Sequence, residues 1–376
     1  MILNAVIGVL LLIVAPAAPD VQQPENRARE IYARALRLQT EGNQPAALSL
    51  LWEAAGLAPH DADVQNSLGE ALERIGALDA AVAAYRTAVA ERPAFRKASN
   101  NLILALARAG KGEEAVARAR ALVVEAPEDA DAYFTLGLAQ SEQDVSAAIA
   151  SFRRALQLDP GHTLARYNLA RVLSRTDRIS EAIEELTRAL AIEPRPEAHY
   201  TLGVIYWHTG DLDRAARELR AAIAGQPDYA EAHYTLGAVL KARRDWAGAA
   251  TELRRAIALR PDAATHYTLA QVLQQAGDTA GAQRNFADAE RLRQGKEQEQ
   301  QAAIWTSVGT ARLDAADFTG AVDLFRRAVA IRGDYAPAYY QMGRALQQLG
   351  RAAESRAAFA KAAALNPSLI PAAADR

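Results

Sequence analysis

The sequence predicts an all-α fold, a solenoid in which helical hairpins stack one on the next. Three observations predict it. Alanine, leucine, glutamate and arginine dominate the chain, and all of them are compatible with helices. Long alternations of Val, Ile and Thr, which are typical of strands, are missing. Similar segments recur about every 34 residues through most of the 376-residue chain.

The repeat is most visible in the middle of the chain. Residues 199–203, His-Tyr-Thr-Leu-Gly, are echoed at 233–237 and at 266–270, with spacings of 34 and 33 residues. A second echo follows about a dozen residues later in each copy. The same frame extends in both directions and gives about ten units, marked by Ala47, Leu68, Leu102, Leu136, Leu169, Leu202, Leu236, Leu269, Trp305 and Met342.

Each unit predicts two helices joined by a turn. Glycine readily adopts the positive φ that ends a helix, and it stands at the expected turns, Gly76, Gly110, Gly210, Gly277 and Gly350. Proline ends most second helices because it cannot continue one. Small residues recur where the helices touch, and large residues are expected to plug the next layer: Tyr85, Phe152, Leu186, Leu219, Leu253, Phe286, Phe325 and Phe359.

These motifs resemble the tetratricopeptide repeat family over roughly residues 28–369. Two departures are Gly333, which replaces the expected terminal proline, and a turn one residue short in the unit near Ala130. The resemblance implies a right-handed superhelical solenoid of helix–turn–helix repeats. It also implies that one face of each first helix lines a concave groove that binds a partner.

The repeat register breaks once. Ala270 and Gly309 are 39 residues apart, five more than the repeat allows, and the extra residues fall in the polar stretch 291–301. This stretch predicts either an overlong second helix or a plain solvated connection. The expected organisation is an array of about eight repeats over 28–296, a polar helical spacer at 297–301, two further repeats over 302–369 and a tail at 370–376.

A row of aromatic residues predicts the binding surface. At about 100° per residue, Tyr200, Val204 and Trp207 share one side of their helix, away from the packing residues. Tyrosine and tryptophan suit recognition because they offer large area at little entropic cost. The alternative is that the rings fill gaps between neighbouring helices. The candidate groove residues are Phe134, Tyr167, Asn168, Arg171, Tyr200, Trp207, Tyr234, Lys241, Tyr267 and Gln271.

Composition and motifs argue against several chemistries. The chain has no cysteine, which removes thiolate nucleophiles and cysteine-based metal sites. With 43 basic and 45 acidic residues interspersed, it lacks the basic excess of a nucleic-acid binder. His199, His233 and His266 occupy equivalent places one repeat apart, too far to share a zinc ion. We therefore expect no metal, no cofactor and no enzymatic activity.

The N-terminus predicts export. Residues 5–15 are small or apolar, too few to span a membrane but typical of a signal-peptide core. Residues 1–18 are therefore predicted as a signal peptide and 19–27 as a linker, which gives a periplasmic or secreted protein. The alternatives are a cytoplasmic protein, or one that an uncleaved segment anchors to the membrane.

Together these features predict a non-catalytic scaffold that binds a protein, as an extended peptide or a helix, in the concave groove of an envelope or secreted complex. Two alternatives stay open at this stage. One is a structural protein that self-associates into an oligomer through its last repeat. The other is a regulatory subunit of a separately encoded enzyme.

Overall fold

A computed structural model describes residues 22–366 and residue 369. The predicted signal peptide, residues 1–18, and the tail, 370–376, lie outside this part. In the described part the chain forms nineteen α-helices and no strand: α1 (Gln22–Thr40), α2 (Gln44–Leu57), α3 (Ala62–Arg74), α4 (Leu78–Glu91), α5 (Arg96–Arg108), α6 (Gly112–Glu125), α7 (Ala130–Gln140), α8 (Val145–Leu158), α9 (Thr163–Ser174), α10 (Ile179–Ile192), α11 (Pro196–His208), α12 (Leu212–Gly225), α13 (Ala230–Ala242), α14 (Trp246–Leu259), α15 (Ala263–Gln275), α16 (Thr279–Asp314), α17 (Phe318–Ile331), α18 (Ala336–Gln348) and α19 (Ala352–Leu365).

Two compact units divide these helices. The first extends to Pro194 and holds α1 to α10, which form five consecutive hairpins. The second begins at Arg195 and holds α11 to α19. Within each unit every helix packs on the next one along the chain. The all-α prediction is confirmed, and none of the described helices is long and apolar enough to cross a membrane.

The predicted turn glycines adopt the backbone that the hairpins need. All five have φ between 72° and 88°, the left-handed region that favours glycine. Three hairpins place another residue there, namely Asp177, Arg244 and Ala316, with φ of 55° to 61°. An aspartate then begins several second helices by accepting a hydrogen bond from the backbone N–H three residues on, as Asp211 does from Arg214 at 2.9 Å.

The large residues predicted as plugs pack inside their own hairpin. A Cβ added to Gly203 would lie 2.8 Å from Cγ of Leu219, and one added to Gly137 would lie 2.6 Å from the ring of Phe152. Each glycine thus brings two helices close enough for the large side chain to lie against bare backbone. Six of the eight residues are fully buried, whereas Phe286 and Phe359 are only partly buried. Some of these residues also belong to a core that continues into the next hairpin, as Phe325 does with Ala345 and Leu346.

The break in register corresponds to one uninterrupted helix. The 36 residues of α16 contain the second helix of the eighth hairpin, the polar stretch 291–301 and the first helix of the ninth hairpin. The polar stretch stays helical because Lys296 to Gln301 are all good helix formers. At the other end, α1 begins at Gln22, earlier than the predicted repeat boundary at residue 28.

Candidate functional site

The first helices α11 and α13 line an open cleft in the second unit. Tyr200, Val204 and Trp207 project from α11, and Tyr234 and Glu231 project from α13. The cleft has a volume of about 420 Å³. Residues from α14, α15 and the segment between them complete its wall: Ala256, Arg260, Asp262, Ala264 and Thr265. The face that the sequence assigned to α11 is therefore the one that lines a cleft.

A second cleft adjoins the first. It has a volume of about 680 Å³, and it shares Trp207 and Tyr234 with its neighbour. Lys241 of α13 and Gln271 of α15 also line it, together with Trp246, Thr268, Gln274 and Gln275. We call the two clefts together the aromatic groove.

Polar contacts fix several side chains of the aromatic groove. Nζ of Lys241 donates to Oε1 of Gln271 at 2.5 Å, which links α13 to α15. The guanidinium of Arg260 pairs with Glu231 at 2.6 Å. The ring of Tyr200 packs on another ring in the second unit, with centroids 5.0 Å apart. The groove thus offers rigid aromatic walls, a paired carboxylate and a positively charged ammonium group.

The structure divides the predicted groove residues into three groups. Five of them line the aromatic groove, namely Tyr200, Trp207, Tyr234, Lys241 and Gln271. Four lie in the first unit, namely Phe134, Tyr167, Asn168 and Arg171. Tyr267 forms the third group because it lines neither cleft.

Tyr267 occupies a different setting from the other tyrosines of its row. Its ring packs edge-on against Phe286 of α16, with centroids 5.3 Å apart, and 51% of the residue is exposed. The next repeat would normally lie beyond it. Here α16 continues without a break, and the ring lies at an open surface.

The four residues in the first unit make local contacts. Phe134 packs against Phe152 and His162, at centroid distances of 6.1 and 4.8 Å. The Arg171 guanidinium lies 5.8 Å from the ring centroid of Tyr167, a cation–π contact.

The polar residues that follow the aromatic row bond to their own helices. The Thr235 hydroxyl donates to the carbonyl of Glu231 at 2.8 Å, and Asn168 Nδ2 donates to the carbonyl of Leu164 at 2.9 Å. Such local bonds compete with bonds to a partner. The side chains of Thr235 and Asn168 are therefore bonded within their own helices.

The equivalent histidines act as clamps inside their hairpins. Nδ1 of His199 lies 2.9 Å from Glu218, and Nδ1 of His233 lies 2.6 Å from Glu252. His266 makes the same kind of contact with Asn285, and the salt bridge between Arg166 and Glu185 repeats it in the first unit. In all four pairs the partner follows by 19 residues. That constant spacing was present in the sequence and could have revealed the clamps.

These clamps give the histidines a structural role. Each imidazole is turned toward the second helix of its own hairpin, one repeat away from the next imidazole. In the described part of the chain no three His, Asp or Glu side chains are grouped so that they could hold a metal ion.

Comparisons with known proteins agree with the hairpin geometry. Sequence models of the tetratricopeptide repeat match residues 27–94, 100–163, 200–264 and 267–337, and two more match residues 139–205 and 336–369. The chain belongs to the tetratricopeptide repeat family. Tetratricopeptide repeats are protein-interaction modules that bind protein or peptide partners, and this chain is accordingly an interaction scaffold.

Several solved structures are similar to parts of this chain. A tetratricopeptide repeat protein from Parabacteroides merdae is 18% identical, with a TM-score of 0.50, and the match covers 66% of this chain and 99% of that one. YrrB, described as a TPR protein with an unusual peptide-binding site, is 20% identical over 46% of this chain and 91% of its own, with a TM-score of 0.42. MamA is 22% identical over 43% of this chain and 96% of its own, also with a TM-score of 0.42. No match was found among curated proteins.

Proposed function

We propose that this tetratricopeptide chain is a non-catalytic scaffold that binds a partner protein, as an extended peptide or a helix, in the aromatic groove. The observation that carries the proposal is the pair of adjoining clefts that share Trp207 and Tyr234. Both rings are only partly buried, so they retain contact area for a ligand.

The dimensions of the groove favour a segment of polypeptide. The clefts of about 420 and 680 Å³ are open and lie side by side, which suits successive side chains of one segment. Tyr200, Trp207 and Tyr234 supply the large, rigid anchors that dominate binding energy at protein interfaces. Lys241 and the Glu231–Arg260 pair, at the rim, would set the register and the choice of partner.

The packing of α11 and α13 separates binding from folding. Their other faces hold the hairpins together through Leu202, Gly203, Leu236 and Gly237, all of them buried. Changes to the groove rings should therefore weaken binding more than they weaken the fold. The expected setting, an envelope or secreted complex, rests on the N-terminal sequence alone and stays a prediction.

Affinity capture with matched variants tests the proposal. The full chain and the double variant Tyr200→Ala/Tyr234→Ala are used as baits in the same native extract, and captured proteins are quantified by mass spectrometry. Trp52→Ala is the control, because Trp52 is an aromatic residue that is 53% exposed and lies on α2, in the other unit.

We expect at least one protein to be captured by the wild type and by Trp52→Ala but lost with the double variant, while circular dichroism of all three stays the same. The same captured set for all three chains would refute a role for the groove. Unfolding of the double variant would show that the rings belong to the core.

A further inference from the structure

One face of α16 lacks the cover that the same face has in eight other described hairpins. In each hairpin one small or apolar residue of the first helix touches the second helix, as Gly203 touches Leu219. In eight hairpins the residue five positions before that contact is at most 2% exposed: Val64, Ala98, Ala132, Ala165, Ala198, Ala232, Thr265 and Ala338. The equivalent residue of the ninth hairpin, Ile304, is 61% exposed. Val308, one turn later, is 44% exposed, whereas its counterparts Leu202 and Leu236 are 4% and 1% exposed.

The continuity of α16 explains the missing cover. In hairpins such as α13–α14, the second helix of the preceding hairpin packs on the first helix of the next one. For the ninth hairpin that preceding helix is the N-terminal half of α16 itself, which is continuous with the hairpin's first helix and therefore cannot fold back on it. Ile304 and Val308 therefore lie on the side of α16 opposite Thr306, which is buried.

The eighth hairpin also has an uncovered face, on the side where the next repeat would pack. Its outward face would carry the next hairpin in a regular array, but it exposes half of Tyr267 and part of Phe286. The chain thus presents both halves of one repeat–repeat interface uncovered. Phe286 in one half and Ile304 in the other are about 27 Å apart along the uninterrupted helix α16, at a rise of 1.5 Å per residue. One molecule cannot bring them together while α16 is one continuous helix, but two molecules can.

The face between the two uncovered surfaces is self-complementary. Six of its residues recur at alternating spacings of four and three, which places them on one stripe of the helix: Phe286, Glu290, Arg293, Glu297, Gln300 and Ile304. The spacings read the same from either end. An antiparallel second copy, centred on the same stripe, would therefore set Phe286 against its Ile304 and Arg293 against its Glu297.

We infer that two copies of this chain pair through the stripe of α16, related by a two-fold axis near its middle. The ninth hairpin of one copy packs on the eighth hairpin of the other copy, where the next repeat of a regular array would lie. The two copies exchange hairpins in this way and reuse the ordinary repeat–repeat contact. Opposite charges face each other at the centre, and apolar residues close the two ends. This surface is separate from the aromatic groove, so pairing leaves two grooves open for partners.

Sedimentation equilibrium of the full chain, at about 1 to 100 μM, tests the pairing. We expect a dimer whose dissociation constant rises at least about tenfold in Ile304→Asp, because a charge would be buried at the apolar end. The control Ile192→Asp changes an isoleucine of similar exposure, 52%, in the other unit and should leave the dimer unchanged. A wild-type chain that stays monomeric over this range overturns the proposal.

Charge exchange tests the antiparallel register. Arg293→Glu and Glu297→Arg should each weaken the dimer, because like charges then meet across the axis, and the double exchange should restore it. The chain has no cysteine, so engineered thiols report cleanly. A mixture of Arg293→Cys and Glu297→Cys chains should cross-link as the mixed pair through a short bifunctional maleimide. A preference for like pairs, or no rescue by the double exchange, overturns the antiparallel arrangement.

Discussion

Gly137 gives the clearest test of how the hairpins close. Its position in α7 faces the ring of Phe152, and an added Cβ would lie 2.6 Å from two ring carbons. Carbon atoms normally approach to about 3.5–4.0 Å, so the Gly137→Ala substitution forces the ring back by about 1 Å. Phe152 is fully buried, so its ring cannot move out into solvent.

The expected cost follows from two opposed effects. Overpacking a core costs about 1–3 kcal/mol. Replacing glycine by alanine inside a helix returns about 0.5–1 kcal/mol. Gly137→Ala should therefore lower the free energy of unfolding by about 1–2 kcal/mol. Urea denaturation followed by circular dichroism measures this change, and amide hydrogen exchange shows whether α7 and α8 open first.

A second substitution should relieve the clash. The following hairpin pairs Ala170 with Leu186, both fully buried, so an alanine–leucine pair fits this contact. In a Phe152→Leu background, Gly137→Ala should cost at least about 1 kcal/mol less than in the wild type. Gly343→Ala is the milder control, because Phe359 is only partly buried and can move. Equal costs in both backgrounds would refute this packing.

Four further substitutions test other parts of the structure. Ala316→Gly should raise the free energy of unfolding by about 1 kcal/mol in urea titrations, and Gly277→Ala should lower it by a similar amount, because both positions have positive φ. Changes of the opposite sign would contradict the turn assignment. Ala222→Leu should cost about 1–3 kcal/mol, because this residue is fully buried, and an unchanged thermal midpoint would reject the packing. Burial and the Glu73 carboxylate hold the pKa of Tyr85 far above its usual value of about 10. The contribution of Tyr85 to stability is therefore complete below pH 10 and falls as the pH rises through the folded-state pKa. The loss of stability at alkaline pH should be smaller in Tyr85→Phe, and an identical pH profile of the two chains would exclude the effect.

The sequence predicts the hairpins well because their signals are local. A turn that needs positive φ selects glycine, and Gly76 or Gly210 can be recognised one residue at a time. Close contact between helices selects a small residue on one side and a large one on the other. The spacing between Gly203 and Leu219 recurs in several hairpins, so the repeat reveals these pairs even where a single unit would not.

The features that were missed depend on neighbours that the repeat pattern cannot specify. Tyr267 looks like Tyr234 in the sequence, but no hairpin follows it in the ordinary place because α16 continues past Gly295. The same continuity leaves Phe286 partly exposed. The clamp between His199 and Glu218 was overlooked although its 19-residue spacing recurs in other hairpins.

The central claim is that the aromatic groove of α11 and α13 binds a partner while their other faces hold the stack. The most direct test uses the absence of cysteine. A single thiol at Val204→Cys, inside the groove, is compared with one at Arg217→Cys, on the exposed side of α12. A partner that the wild type captures is then added. The thiol at position 204 should react with maleimide at least about tenfold more slowly, which corresponds to about 90% occupancy of the site. The thiol at position 217 should react at its original rate. An unchanged rate at Val204 in the presence of that partner would contradict the account.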